Sequence, residues 1–386
     1  MATQSMLALV NGRVLGEHGP REGQAVLVEG AHIVAIVAQD DPRVAQAKQH
    51  NLHGHLLLPG FIDVQVNGGG GVLFNETPTV EALASIAAAH RKFGTTGMLP
   101  TLITDTPEVM RAALKAVNDA IDQGVPGILG IHVEGPFLAP ARKGIHDASL
   151  FRLPEHEDVL ALTAGNRGVV MLTLAPEQVP MDTIRQFSQA GVVVVAGHTA
   201  ADYTTVRAAL DAGVSGFTHL YNAMTPLGSR DPGVVGAALD DPHSWCGLIA
   251  DGHHVHPVAL RIAIAAKARG KSVLVTDAMP PVGSDNPSYV LNGEIITARD
   301  GVCQSDAGVL AGSALDMASA VRYAVQVIGL PLAEASRMAS SYPAAWIGRD
   351  RVQGQLVAGQ RADFAVVDDG VVVRETWVGG VAYPVA

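Results

Sequence analysis

Val195-Ala196-Gly197-His198 and, one helix further on, Gly216-Phe217-Thr218-His219 each carry an apolar run into a histidine. Two more runs deliver a carboxylate: Ile131-His132-Val133-Glu134-Gly135-Pro136 and Val273-Leu274-Val275-Thr276-Asp277-Ala278. Apolar runs of this kind read as buried strands of a parallel sheet. A polar residue just past the last apolar position then sits at the carboxyl end of its strand. In a (β/α)₈ barrel all carboxyl ends open on one face, and the chemistry takes place there. Residues far apart in the chain would meet around one point. Two histidines, a glutamate and an aspartate meeting there make a site for one metal ion with an acid beside it, the equipment of metal-assisted hydrolysis.

The same rhythm fills the middle of the chain. Strands are expected at 57–66, 96–101, 127–133, 169–174, 192–196, 214–218, 245–250 and 272–276. Helical patterns lie between them at 80–93, 107–121, 181–190, 202–212 and 257–268. Such alternation implies parallel strands joined by right-handed crossovers, and eight units over about 290 residues suit a barrel with insertions. An open doubly wound sheet fits less well, because no GxGxxG follows the first strand and the polar strand ends are spread over many strands. Short β segments flank this region. Leu7-Ala8-Leu9-Val10 runs into an Asn11-Gly12 turn, followed by runs at 25–30 and 32–37; near the other end come 364–367, an Asp368-Asp369-Gly370 turn and 371–378. Hairpins from both termini are expected to pair. The expected architecture is α/β: residues 58–350 form the barrel, and 1–57 with 351–386 form a small β-sandwich.

Of the 386 residues, 48% are apolar and only 16% charged, which favours a large buried interior over a disordered chain. The formal net charge of −11, with no long basic run, argues against a nucleic-acid or membrane-surface partner. Any anionic substrate must therefore be met by a local cluster. Cys246 and Cys303 belong to no CxxC pair and read as free thiols in a reducing cytoplasm. Residues 1–10 lack the basic start of a signal peptide, and no apolar run nears the roughly 20 residues of a membrane span. A cytoplasmic protein is expected.

His198 and His219 are 21 residues apart, one helix plus one strand. They should occupy equivalent positions on adjacent strands, with their imidazoles close together. With Glu134 they would leave a fourth position open, as in catalytic rather than structural metal sites. Glu134 shares a strand face with His132; by itself it reads equally as an ion-pair partner. Asp277 could take a proton from water and return it to a leaving group. A helix cap is the other reading, opposed by Pro280-Pro281. Arg230 and His254 suit a phosphate in geometry, but on spacing alone they read as a surface ion pair with Asp231 and a solvated histidine. Asn67-Gly68-Gly69-Gly70-Gly71 permits close backbone approach but is no P-loop. Gly312-Ser313 reads as a helix N-cap opening 314–327. The loop from Phe137 to Leu150 is long enough to close over a site.

These residues resemble the amidohydrolase superfamily and, within it, the N-acetylglucosamine-6-phosphate deacetylases. The likeness spans nearly the whole chain. It rests on Pro59-Gly60-Phe61-Ile62-Asp63-Val64-Gln65-Val66-Asn67-Gly68, His132-Val133-Glu134-Gly135-Pro136-Phe137, Lys143-Gly144-Ile145-His146, Gly197-His198-Thr199, Asp251-Gly252-His253-His254-Val255, Val275-Thr276-Asp277-Ala278 and Leu310-Ala311-Gly312-Ser313-Ala314-Leu315. The most specific stretch is His219-Leu220-Tyr221-Asn222-Ala223-Met224. The resemblance implies that Glu134, His198 and His219 bind one divalent ion per subunit, zinc first, with iron, cobalt, manganese or cadmium as alternatives. It implies Asp277 as acid/base and His146 on the acetamide carbonyl. Asn222, Ala223, Arg230 and His254 would bind the sugar phosphate, with Ile145, Asp251, Leu310, Ala311 and Gly312 also against the substrate. It implies a homodimer in which Arg230 reaches the neighbouring site. The reaction implied is hydrolysis of N-acetylglucosamine 6-phosphate to glucosamine 6-phosphate and acetate. Many relatives in the superfamily carry His-x-His after the first strand for a second metal; here Gln65-Val66-Asn67 stands there, and a carboxamide is a poor ligand beside imidazole. That departure argues against a dihydroorotase- or hydantoinase-like cyclic amidase. The retained ligands argue against a non-catalytic assembly protein on the same fold.

Overall fold

The computed structural model describes residues 6–299, 301–305 and 308–385. Of the segments read from sequence, 1–5 and 386 lie outside these. An eight-stranded sheet runs through the middle of the chain: Phe61–Val66, Thr95–Ile103, Gly130–Glu134, Val169–Leu174, Val193–Ala196, Gly216–Phe217, Trp245–Ile249 and Ser272–Val275, each paired with the next in chain order. A parallel bridge between Val66 and Ala278 draws the last strand to the first. There Asp277 N–H donates to the Gln65 carbonyl at 3.0 Å and Asn67 N–H to the Ala278 carbonyl at 2.9 Å. The sheet thereby curls into the expected barrel. Its strands are buried on both faces, as their apolar runs require.

The crossover helices follow their local signals. Pro107–Asp122 begins where Thr106 accepts from the Val109 N–H, and it buries Met110, Leu114 and Val117 on one face. Tyr203–Ala212 is capped by Asp202 and stops at Gly213, whose φ of 115° suits a residue without Cβ. Pro257–Ala266 is capped by His256, which accepts from the Val258 N–H at 3.2 Å. That gives His256 a structural task. Cys246 and Cys303 are both buried free thiols. Among the described residues, no helix is long and apolar enough to cross a membrane.

Two compact units emerge. One comprises Met1–Asp63, His90–Gly97 and Met317–Ala386. It contains a four-stranded sheet from the N-terminal region and a six-stranded sheet in which Leu56–Pro59 pairs with Phe364–Val367, so both ends of the chain share one β structure. Leu9, Val26, Leu57, Phe364 and Trp377 lie in its core. The other unit comprises Val64–Ala89 and Met98–Asp316.

Two local expectations need correction. The run read as one strand over 57–66 breaks at Gly60. Pro59 has no N–H to extend a ladder, and the Gly60 N–H goes to the Asp363 carbonyl at 2.9 Å. Leu56–Pro59 therefore belongs to the six-stranded sheet, and Phe61–Val66 opens the barrel. Ser313 does not cap a helix. Leu310–Ser313 is a strand, the next helix starts at Met317, and Ser313 Oγ donates to the Thr276 carbonyl at 2.6 Å. This strand closes a four-stranded antiparallel sheet, with Ser288–Leu291, Glu294–Arg299 and Val302–Ser305, inserted after the last barrel strand.

Candidate metal centre and active site

In the parallel register Val195 lies opposite Gly216 and Ala196 opposite Phe217, so His198 and His219 stand two residues beyond matching positions. Their Nε2 atoms are 3.1 Å apart. Glu134 Oε1 lies 3.2 Å from His198 Nε2 and 3.1 Å from His219 Nε2. All three residues are buried. A tetrahedral zinc with bonds of about 2.0–2.1 Å holds its ligand atoms about 3.3 Å apart, so these three separations suit a single ion. The protonation pattern also suits one. A carbonyl can only accept, so the 2.9 Å contact from His198 Nδ1 to the Arg142 carbonyl puts the proton on Nδ1 and leaves the Nε2 lone pair facing the cluster. Burial works to raise the Glu134 carboxyl, but the facing His198 and His219 rings outweigh it and keep it well below its usual range. The cluster offers an anionic oxygen and two imidazole nitrogens to one centre, and it can hold a divalent ion.

The backbone here is unusual. His198, His219 and Asp277 have φ of 48°, 30° and 54°, and Tyr221 and Ala223 have 80° and 51°. Left-handed conformations cost a non-glycine residue about 1–2 kcal/mol each and collect where function over-determines the backbone.

Asp277 sits beside the cluster. Its Oδ1 accepts from Asn67 Nδ2 at 2.6 Å and Gln65 Nε2 at 3.2 Å. Gln65 Nε2 also reaches both Glu134 oxygens, at 3.3 and 3.4 Å. The two carboxamides thus turn N–H donors towards the carboxylates, where a second-metal site would need lone pairs. Burial, then the Glu134 charge, raises the Asp277 carboxyl above its usual value, as suits a group that both takes and gives a proton.

His146 comes from the loop between the third and fourth barrel strands. Its ring packs edge-on to His198 at 4.4 Å. The Thr104 N–H donates to His146 Nδ1 at 3.3 Å, with Thr104 Oγ1 2.8 Å from the same atom. An N–H can only donate, so Nδ1 is the acceptor and the ring proton is on Nε2. Burial, reinforced by His198, lowers His146 to about 3, so the ring is neutral. It is an N–H donor with its tautomer fixed. His132, a layer deeper on the Glu134 strand, has Nδ1 3.0 Å from the Val64 carbonyl and Nε2 2.7 Å from Thr173 Oγ1. It packs the barrel interior.

These groups open into a cavity of about 450 Å³. Asn67, Ile145, Asn222, Ala223, His254, Leu310 and Gly312 line it with the cluster, and Arg142 to His146 roof it. Asp251 stands behind His254, its carboxylate 2.6 Å from His254 Nδ1. Ala311 is buried behind the wall, its carbonyl accepting from Tyr289 OH at 2.7 Å. Arg230 is exposed on the loop after the sixth barrel strand and is not among the residues lining this cavity. Among what escaped the sequence reading, Thr104 lies just past the second strand, Arg142 acts through its carbonyl, and the antiparallel sheet at 288–313 is what carries the named Leu310 and Gly312. Only the last carried a signal, the Asn292-Gly293 hairpin turn with φ of 52° and 80°.

The chain matches the amidohydrolase family over residues 56–382. It belongs to that family. Among curated amidohydrolases it is similar to the N-acetylgalactosamine-6-phosphate deacetylase of Shewanella sp. (strain ANA-3), 44% identical over 98% of this chain and 96% of that protein. It is also similar to the N-acetylglucosamine-6-phosphate deacetylase of Haemophilus influenzae, 34% identical over 97% and 98% respectively. The crystal structure of the N-acetylglucosamine-6-phosphate deacetylase from Pasteurella multocida matches with a TM-score of 0.94 at 37% identity, covering 98% of this chain and 100% of that one.

Proposed function

We propose that this amidohydrolase removes the N-acetyl group of N-acetylglucosamine 6-phosphate, giving glucosamine 6-phosphate and acetate. One observation carries the reading: a three-ligand cluster, a buried aspartate held by two carboxamide donors and a neutral histidine donor converge in one cavity large enough for a hexosamine. The similarity to enzymes named for this reaction supports it. A second reading changes one carbon: the 44% and 40% identical relatives are named for the galactosamine epimer.

The ion we assign to Glu134, His198 and His219 is zinc; when bound, it supplies Lewis acidity that acidifies water and polarises the amide carbonyl. Asp277 takes the proton of the attacking water, oriented through the Asn67 and Gln65 donors on its Oδ1. His146 Nε2–H meets the oxygen on which charge develops, a preorganised donor worth on the order of 3 kcal/mol. Asp277 then protonates the leaving amine nitrogen, without which the amide cannot break. The Asp251–His254 pair, with the Asn222–Ala223 backbone, receives the phosphate.

We further propose a cytoplasmic homodimer in which Arg230 completes the neighbouring phosphate site. Arg230 is exposed, and exposed apolar side chains occur on the same loop, Leu227, and on the helix at 257–266, Val258 and Ile262. The buried free cysteines fit a reducing compartment.

Acetate release should be assayed on the 6-phosphates of N-acetylglucosamine and N-acetylgalactosamine and on both unphosphorylated sugars, with and without chelator. The proposal expects chelator-sensitive release from a 6-phosphate, with the gluco epimer preferred. Preference for the galacto epimer establishes the second reading. Release from neither removes both.

A further inference from the structure

The walls of the cavity differ in chemistry. Glu134, His198, His219, Asp277 and His146 are polar, but Ile103 and Met279 also face the cavity. Ile103 is directly opposite Glu134 in the parallel register, and the next residue, Thr104, holds His146. Met279 follows Asp277 by two residues. Ile103 and Met279 are 6% and 1% exposed and belong to one apolar cluster that runs back through Leu291, Ile296 and Cys303. Gly312 backs this wall with φ of 63°: a Cβ there would lie 2.5 Å from Met279 Cγ and 2.9 Å from both its sulfur and the Asp277 carbonyl. Glycine at 312 is what lets the Met279 side chain lie back from the cavity.

An amide set for hydrolysis has its directions fixed. The carbonyl oxygen faces the cluster and His146 Nε2, and the nitrogen faces Asp277. The remaining substituent of the acyl carbon points away from both; it is apolar and calls for an apolar wall, which Ile103, beside the Thr104 that holds His146, and Met279, two residues past Asp277, supply. We propose that Ile103 and Met279, backed by Gly312, form the acyl subsite and confine the enzyme to one- and two-carbon acyl groups. The inference rests on the deacetylase reading above and assigns the residues that set its acyl specificity. The wall is stiff, because isoleucine is held at χ1 and Met279 is packed from behind. An extra methylene in such a pocket typically costs 10–200-fold in kcat/KM.

The test measures kcat/KM for N-formyl, N-acetyl, N-propionyl and N-butyryl hexosamine 6-phosphates. The variants are Ile103→Val, Ile103→Ala, Met279→Ala and Gly312→Ala. The wild type should fall about tenfold or more with each methylene added beyond acetyl. Ile103→Ala and Met279→Ala should raise the butyryl-to-acetyl ratio about tenfold or more. Ile103→Val, the mild change that keeps the fold, should raise it about threefold, and Gly312→Ala, whose Cβ would press on both Met279 and the Asp277 carbonyl, should move preference towards formyl at a reduced overall rate. A purely structural role would lower all four substrates together. An unchanged acyl profile in variants that still release acetate overturns the subsite. No acetate release by the wild type overturns the underlying reading and the subsite with it.

Discussion

Replacing Asp277 with asparagine isolates the proton transfers from the architecture around them. Asp277 Oδ1 accepts from Asn67 Nδ2 at 2.6 Å and Gln65 Nε2 at 3.2 Å, and an asparagine Oδ1 can accept both. The second oxygen becomes an NH₂, which cannot take a proton from water or deliver one to an amine. Because burial already disfavours the charge at 277, the neutral isostere should fold and melt like the parent. General acid–base catalysis contributes roughly 10²–10⁴-fold, or about 3–6 kcal/mol of barrier at about 1.4 kcal/mol per tenfold. Asp277 acts twice in one turnover, so Asp277→Asn should lie at the upper end. The assay is steady-state acetate release at saturating substrate, with metal content by elemental analysis and substrate affinity by calorimetry. The expected result is kcat down by about 10³–10⁴, with metal content unchanged and affinity within about threefold. A kcat within tenfold of the wild type, with metal bound, would refute the role.

Thr104→Val removes the hydroxyl 2.8 Å from His146 Nδ1 and leaves only the 3.3 Å N–H; kcat should fall about tenfold, in line with a hydrogen bond worth about 1–1.5 kcal/mol, with KM little changed, and an unaltered kcat would remove Thr104 from the mechanism. Gly144 has φ of 56°, and a Cβ there would lie 3.1 Å from His198 Cε1; Gly144→Ala should weaken metal binding several-fold in a chelator competition, whereas an unchanged Kd would uncouple the roof from the ligand. Gln65→His with Asn67→His replaces two N–H donors with imidazoles and should raise the metal content from near one to near two ions per chain; a count still near one would show that more than these side chains excludes the second ion. Arg230→Ala should raise KM for the phosphorylated sugar far more than for the plain N-acetyl sugar, and equal effects would assign Arg230 a structural task.

The metal cluster was legible because the signal for each ligand is local. An apolar run names the strand, the next polar residue marks its end, and the interval from His198 to His219 equals one strand-helix repeat. Their Nε2 atoms meet at 3.1 Å. The helices at 107–121 and 202–212 were legible for the same reason. What stayed hidden depends on contacts between distant segments. Gly60 and Pro59 look continuous with the run on either side, and only the pairing of Leu56–Pro59 with Phe364–Val367 reveals the break. Ser313 has a cap's composition but spends its hydroxyl on the Thr276 carbonyl, 37 residues away. Arg142 orients His198 through a backbone carbonyl, an atom every residue possesses, so no side-chain pattern could announce it. The placement of Ala311 behind the wall and of Leu310 on it follows from the pleat of a strand that ends at the Gly312-Ser313 pair read as a helix cap.

The central claim is that Glu134, His198 and His219 would together hold one divalent ion. Anomalous diffraction at the zinc edge from zinc-loaded crystals tests it most directly. The account predicts a single peak within about 2.2 Å of one ligand atom from each of the three residues. A peak centred elsewhere, or a second strong peak between Gln65 and Asn67, would contradict it.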